Sequence, residues 1–248
     1  MKKLFAVLLA FISIAQVKAN SADDIIANYV KAIGGTDKLK SITSIKATGK
    51  FQQGGMDFPF TIYQKRPNEM LLESTFQGLT MKQAYDGAMG WSINPFSGRQ
   101  VAEKMDADME KQTKMQADID GPLVDYAAKG NKVEDAGTED IDGSPCYHLK
   151  LTTAEGDLYD YYLDKDSYLI VKVKAHIKMQ DGSTQDGESN FSDYKEVNGV
   201  LMPFTIENVS DYQGQKASTF IKMDTVEANV AMDDAMFKMP AADATPNK

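Results

Sequence analysis

The most reactive side chains in this sequence are one cysteine and two histidines, and their spacing is poor for catalysis. Cys146 and His148 lie two residues apart, so on a strand they share a face. Two ligands are too few for a metal site, and His176 is expected on a separate, wet strand face among lysines. A Cys–His nucleophile would need direct contact and an orienting group, which same-face strand neighbours do not supply. Asp157, Asp160, Asp164 and Asp166 fall at turns and wet faces, and nothing pairs two carboxylates against an apolar pocket for acid–base work. No phosphate-binding glycine loop and no serine elbow is present. The expectation is a protein without catalytic residues, metal or cofactor.

Binding chemistry is better represented. Along Met56–Arg66 the sequence alternates, with Met56, Phe58, Phe60 and Ile62 on one strand face and Asp57, Thr61, Tyr63 and Lys65 on the other. The same parity places Gln64 and Arg66 on the apolar face. The five donors of a guanidinium there must meet carbonyls, a carboxylate or water. Backbone carbonyls near Ile119 and Lys129, at the ends of two expected helices, are the partners anticipated for Arg66. Methionine is abundant, 14 in all, and its soft, unbranched side chain suits surfaces that accept varied apolar partners. Over Lys104–Ile119 a helix would put Met105, Met109, Met115 and Ile119 on one side, with Gln112 and Gln116 between them. That stripe fits a movable cover; an ordinary amphipathic surface helix is the alternative. Gly121-Pro122 would begin a second short helix, Leu123–Lys129.

The remaining elements must position these groups. Ala22–Ile33 reads as a helix capped by Ser21, with Ile25, Ile26, Tyr29, Val30 and Ile33 on one face. A short helix follows at Thr36–Lys40. Ile45, Ala47, Gly49 and Phe51 alternate in the first strand, and Met70–Phe76 and Leu79–Tyr85 are further strands. From Asn131 on, Asp142-Gly143, Glu155-Gly156, Asp181-Gly182, Asn198-Gly199 and Gln213-Gly214 are turn signals between strands. Leu169–Gln180 is the clearest strand, with one apolar and one wet face. A sheet of about eleven strands curls rather than staying flat. The expected fold is mainly β, a strongly curved antiparallel half-barrel with a few helices covering its concave face. That face is either a cavity or a packed core. Read as a cavity for acyl chains, its lining would be Phe51, Phe58, Phe60, Ile62, Leu72 and Trp91, with Met105 and Met109 from the cover.

Lys65-Arg66-Pro67-Asn68, Asp86-Gly87, Trp91 and Asn94-Pro95-Phe96, followed by Asn229 and Met236–Pro240, resemble the signature regions of LolA-type periplasmic lipoprotein carriers. The resemblance implies an incomplete barrel with helices as a lid. It implies a non-enzymatic carrier of lipoprotein acyl chains toward the outer membrane, loaded by an inner-membrane complex and unloaded by a lipidated receptor. It also implies that Arg66 latches the lid and drives cargo release. A lipid-sensing regulatory module of the same fold is the alternative role, and an enzyme acting on lipid or glycan a more distant one.

Residues 1–19 read as a signal peptide: Lys2 and Lys3, an apolar stretch Leu4–Ala15, and Val17-Lys18-Ala19 before the cleavage point. The apolar stretch is too short to span a bilayer, so no stable membrane anchor is expected. Residues 20–240 would form one domain and 241–248 a flexible tail. Of 27 basic residues, Lys2, Lys3 and Lys18 leave with the signal, so 24 face 36 acidic ones. Such a surface argues against nucleic acid or anionic lipid bound through a basic patch. With Cys146 the only cysteine, the exported chain has no internal disulfide and depends on its core. It is expected to act as a periplasmic monomer.

Overall fold

The computed structural model describes residues 21–212 and 215–241. The expected signal peptide, the Gln213-Gly214 turn and the expected tail beyond Ala241 lie outside the described residues. Two helices, α1 (Ala22–Ala32) and α2 (Thr36–Ser41), lead into six strands: β1 (Ser44–Gln53), β2 (Met56–Lys65), β3 (Glu69–Phe76), β4 (Leu79–Tyr85), β5 (Gly90–Asn94) and β6 (Arg99–Lys104). Helix α3 (Ala107–Gln116) and an irregular segment precede β7 (Lys132–Ile141), β8 (Ser144–Thr152), β9 (Leu158–Asp164), β10 (Ile170–Lys178), β11 (Thr184–Val197), β12 (Val200–Tyr212) and β13 (Gln215–Ala228).

All thirteen strands form one antiparallel, unclosed sheet in the order β6-β5-β4-β3-β2-β1-β13-β12-β11-β10-β9-β8-β7. Only the β1–β13 junction joins strands that are not consecutive in sequence. Its register shifts between Thr48 and Gly49. A Cβ on Gly49 would stand 2.2 Å from the Lys222 carbonyl oxygen, so glycine is required at this close approach.

Local chemistry accounts for the elements. Ser21 and Asp24 form a capping box on α1, and Ile25 and Ile26 are its buried residues. Asn198 and Gly199 both take positive φ, 51° and 81°, as a tight hairpin turn demands. The sheet has thirteen strands rather than about eleven because β5 and β6 are short and because β9 and β10 are divided by the turn between Asp164 and Leu169, which contains no glycine. The expected helix Leu123–Lys129 is instead a run of turns. Asp125 sits at φ 54° and interrupts it, leaving single turns such as Lys129 N to Asp125 O at 3.2 Å.

The sheet has two apolar faces. On the inner face, which carries the helices, α1 and Leu123 pack on Leu149, Leu151, Tyr159, Tyr161 and Ile177. Beside them Ala117, just past α3, packs against Phe60, Met70, Leu72 and Tyr85. The outer face holds a smaller core of Leu71, Ala84, Trp91 and Phe237. There the Trp91 indole N–H donates to the Phe237 carbonyl at 2.7 Å. The chain after β13 is thereby clasped to the outside of the sheet.

Candidate functional site: the inner face and its strap

The register lines up one apolar residue per strand across the inner face. Phe191 faces Ile206, Ile206 faces Ile221, Ile221 faces Phe51, and Phe51 faces Phe58. The row continues through ring contacts, Phe58 to Phe76 at 4.7 Å and Phe76 to Phe96 at 6.4 Å. Phe51 also meets Phe60 of the next row at 4.5 Å. Phe60 is buried beneath Ala117, whereas Phe191, Ile206, Ile221, Phe51, Phe58 and Phe76 are only half-buried and Phe96 is exposed. The inner face is therefore packed under its helical cover and uncovered along this row. Where it is packed it is dry: burial raises the Tyr159 and Tyr161 phenols far above their usual range and Tyr29 to about 12.

The cover is a polar strap. Within α3 only Thr113 is buried, and it donates to the Met109 carbonyl and faces the Met105 sulfur. The helix is tied to both halves of the sheet. On one side Glu110 accepts from the Gly90 N–H at 2.9 Å, and the Gln64 side chain donates to the Gln116 carbonyl at 2.6 Å. On the other, Lys111 pairs with Asp157 at 2.9 Å and donates to the Lys178 carbonyl at 2.7 Å. Lys114 pairs with Glu155 at 3.2 Å, and Asp108 accepts from the Gln180 N–H at 3.1 Å. A cavity of about 400 Å³ lies beside the strap, lined by Met115, Tyr159, Ile177, Lys111, Lys129 and Glu155 among others.

After the strap the chain is held by a buried carboxylate. Asp120, its side chain only 4% exposed, accepts two hydrogen bonds from Arg66, Nη1 to Oδ2 at 2.9 Å and Nη2 to Oδ1. Lys40 adds a third contact at 2.6 Å. Arg66 spends its other donors on the carbonyls of Ile42 (Nε, 2.7 Å) and Leu39 (Nη2, 3.1 Å). Burial raises the Asp120 carboxyl, but the bonds from Arg66 and Lys40 outweigh it and hold the group below the usual carboxylate range. The hydrogen bond to Asp120 likewise raises Arg66. Next to this pair Lys129 bridges Asp118 and the Gly121 carbonyl.

Sequence reasoning placed Arg66 on the inner face but gave it the wrong partners. The carbonyls it binds end α2, and its contact with the cover is the Asp120 carboxylate rather than carbonyls near Ile119 and Lys129. Alternation around Asp120 gave no signal, because it lies in a turn. Of the proposed lining, Phe51, Phe58, Phe60, Ile62 and Leu72 share the inner face. Trp91 does not: it pairs with Ala84, which pairs with Leu71, and all three point to the outer face. Met105 is buried behind α3, and Met109 is 39% exposed. Of the expected stripe, Met105 is buried and Met115 and Ile119 pack against the inner core, while Met109 turns out and Thr113 is the buried residue of the helix.

The histidines also differ from expectation. His148 Nε2 lies 2.6 Å from one oxygen of Asp160 and His176 Nε2 3.5 Å from the other. They share one outer-face network rather than lying on separate faces. Glu139 and Asp186 flank it at 3.8 and 2.7 Å. Cys146 is fully buried, and burial raises its thiol, which leaves it a poor nucleophile.

Among curated proteins none matches the sequence. Solved structures do. A LolA superfamily protein from Nitrosomonas europaea superposes with a TM-score of 0.60 at 10% identity, covering 89% of this chain and 98% of that one. A DUF1329 family protein from Desulfovibrio piger gives 0.58 at 14% identity, over 89% and 98% of the two chains. A domain named as an outer membrane lipoprotein-sorting protein, from Vibrio parahaemolyticus, gives 0.57 at 12%, over 88% and 95%. A family model with the description "-like: Uncharacterized protein" matches residues 99–241, more than half of the chain. The chain belongs to that family of uncharacterized proteins, and its curved sheet with an inner helical strap has the LolA-like fold.

Proposed function

We propose that this chain is an exported binding protein that takes up acyl chains of lipids or lipoproteins on the inner face of its sheet and carries them through the periplasm toward the outer membrane. The observation that carries the reading is the half-exposed row from Phe191 through Ile206, Ile221, Phe51 and Phe58 to Phe76. It lies next to a cover held mainly by polar ties. Five inter-strand steps of about 4.8 Å give a hydrocarbon track about 24 Å long. The shared fold and the sorting name of the Vibrio parahaemolyticus domain support the same reading.

Loading then proceeds by displacement. Each methylene moved out of water is stabilised by about 0.8 kcal/mol. A bilayer offers the same, so transfer from membrane to protein is nearly balanced. The strap decides the direction. Cargo that extends from the open row toward Phe60 and Leu72 must lift Ala117 and the following turns, breaking the Arg66–Asp120 and Lys40–Asp120 contacts. Their re-formation favours release to a membrane acceptor. This reading requires a loading complex in the inner membrane and a lipidated receptor at the outer membrane.

Native mass spectrometry of the protein purified from a periplasm, together with titration by a fluorescent acylated lipopeptide, tests it. The wild type should carry lipid and bind the probe. Ile221→Asp and Phe58→Asp should each weaken the probe about tenfold or more by placing a charge in the track. Absence of bound lipid together with unchanged probe affinity in both variants refutes the reading.

A further inference from the structure

Four of the large apolar side chains that are exposed among the described residues, Met56, Leu79, Phe96 and Val101, gather at one edge of the molecule. They sit on three adjacent hairpins: the β1–β2 turn, the β3–β4 turn and the β5–β6 connection. Phe96 and Met56 are each more than half exposed, at 53% and 52%. In water this is an unfavourable arrangement, because nothing among the described residues covers these side chains.

The composition of these tips is as unusual as their exposure. Gln52–Met56, Phe76–Thr80 and Asn94–Val101 contain no aspartate or glutamate, in a chain with 36 acidic residues. Arg99 is the only charged residue in the three segments. Asp57, next to the first tip, pairs with Lys50 at 2.8 Å and accepts from Gln52 at 2.7 Å, so its charge is already met. Turns elsewhere on the sheet carry Asp86, Asp142, Glu155 and Asp181. The tips also meet the inner row without a polar gap, since Phe96 touches Phe76 and Phe76 touches Phe58.

We propose that these three hairpin tips form a membrane-contacting edge that inserts Phe96, Leu79 and Met56 into the headgroup–acyl boundary of a lipid bilayer. A protruding rim of aromatic and aliphatic side chains, free of carboxylates, matches the chemistry of that boundary. A protein docking site would be expected to ring such anchors with charged groups, and the tips carry a single charged residue among uncharged glycine, glutamine and serine. With one cationic residue in the tips and an acidic chain behind them, the partner is a neutral or zwitterionic lipid surface, not an anionic one held by charge. Membrane contact itself does not depend on the acyl-binding reading. If that reading holds, the edge places the open end of the apolar row against the bilayer, where acyl chains enter and leave.

Flotation of the full chain with vesicles tests the proposal. The wild type should float with phosphatidylcholine vesicles, and adding phosphatidylglycerol should not strengthen binding. The double variant Met56→Ser with Leu79→Ser should reduce the vesicle-bound fraction about tenfold, since it removes two of the three inserted apolar side chains. Its thermal melt should match the wild type, because both residues are already exposed. Its affinity for a soluble lipopeptide should also be unchanged, which separates this result from failure of the acyl-binding reading. Equal flotation of the two proteins overturns the proposal. So does flotation that appears only with phosphatidylglycerol, or no flotation of the wild type at all.

Discussion

Replacing Asp120 by asparagine is the sharpest test of how the cover is held. The substitution keeps the shape and one carbonyl acceptor but removes the charge. Three hydrogen bonds to cationic donors, two from Arg66 and one from Lys40, lose their charge assistance. Such bonds are worth about 1.5–3 kcal/mol each, so the gross loss is about 4–9 kcal/mol. Much of that is recovered. Arg66 keeps the carbonyls of Leu39 and Ile42, and Lys40 keeps Asp125 at 2.7 Å. Arg66 and Lys40 side chains are also 23% and 40% exposed, so water screens both. A net cost of about 2–3 kcal/mol follows, or about 30- to 140-fold more frequent opening of residues 117–130. Hydrogen exchange resolved by peptide measures this directly, because local opening free energies set amide exchange. Exchange in that segment should rise by this factor while Ile170–Lys178, in β10, stays as in the wild type. A change of less than about threefold in the segment, or an equal rise in both, would show that Asp120 does not hold the cover.

Acid should act on the same group. Its folded pKa is depressed, so its contribution is complete above the unfolded carboxylate value, about 3.9, and disappears as pH falls through the lower folded value. Exchange in 117–130 should therefore stay flat from neutral pH to about 4 and rise below it, after correction for the intrinsic rate. Trp91 faces away from the proposed track, so its emission should hold steady when lipopeptide binds; a large shift would place ligand on the outer face. Phe237→Ala should cost about 3–5 kcal/mol in denaturant unfolding, since the ring is fully buried against Trp91 and Leu71. Ala117→Leu should destabilise the cover by about 1–3 kcal/mol through overpacking against Phe60 and Tyr85, seen as faster exchange in the strap.

How far the sequence reveals this molecule depends on how each residue is held. Strands with one wet face, β2, β4 and β10 above all, were legible to within a residue or two, because burial of one face imprints alternation. The inner-face residues Phe51, Phe58, Phe60, Ile62 and Leu72 follow from the same parity. Trp91 was misplaced because a second apolar core covers the outer face, built from Met232, Met236 and Phe237, and alternation cannot say which of two buried faces is which. Met109 was misplaced because α3 is tied by charged side chains at its rims in a rotation that turns Thr113 and Met115 inward and leaves Met109 in solvent. Asp120 stayed hidden for a related reason: its partners, Arg66 and Lys40, are 54 and 80 residues away. Trp91, Asn229 and Phe237, in the motifs that carried the family resemblance, serve the frame rather than the row. Asn229 accepts from the Thr43 N–H at 2.8 Å, and Phe237 closes the outer core.

The strand order has a consequence for how the chain reaches this state. The first six strands form one meander and the last seven another, each made entirely of neighbours in sequence. Local hairpins of this kind form within about 1–10 μs, whereas pairings between distant segments slow folding. The β1–β13 seam is the single such pairing, joining Ile45 to Ala228. No turn dictates its register; the bulge at Thr48 and Gly49 does, and it depends on backbone approaching Gly49 where a methyl group has no room. Gly49→Ala should thus act on assembly rather than on either meander. Stopped-flow refolding should show the early rise of β signal unchanged and the late phase, the docking of the two halves, slowed or lost. If the early phase is the one that fails, the meanders are not independent units and the seam forms with them.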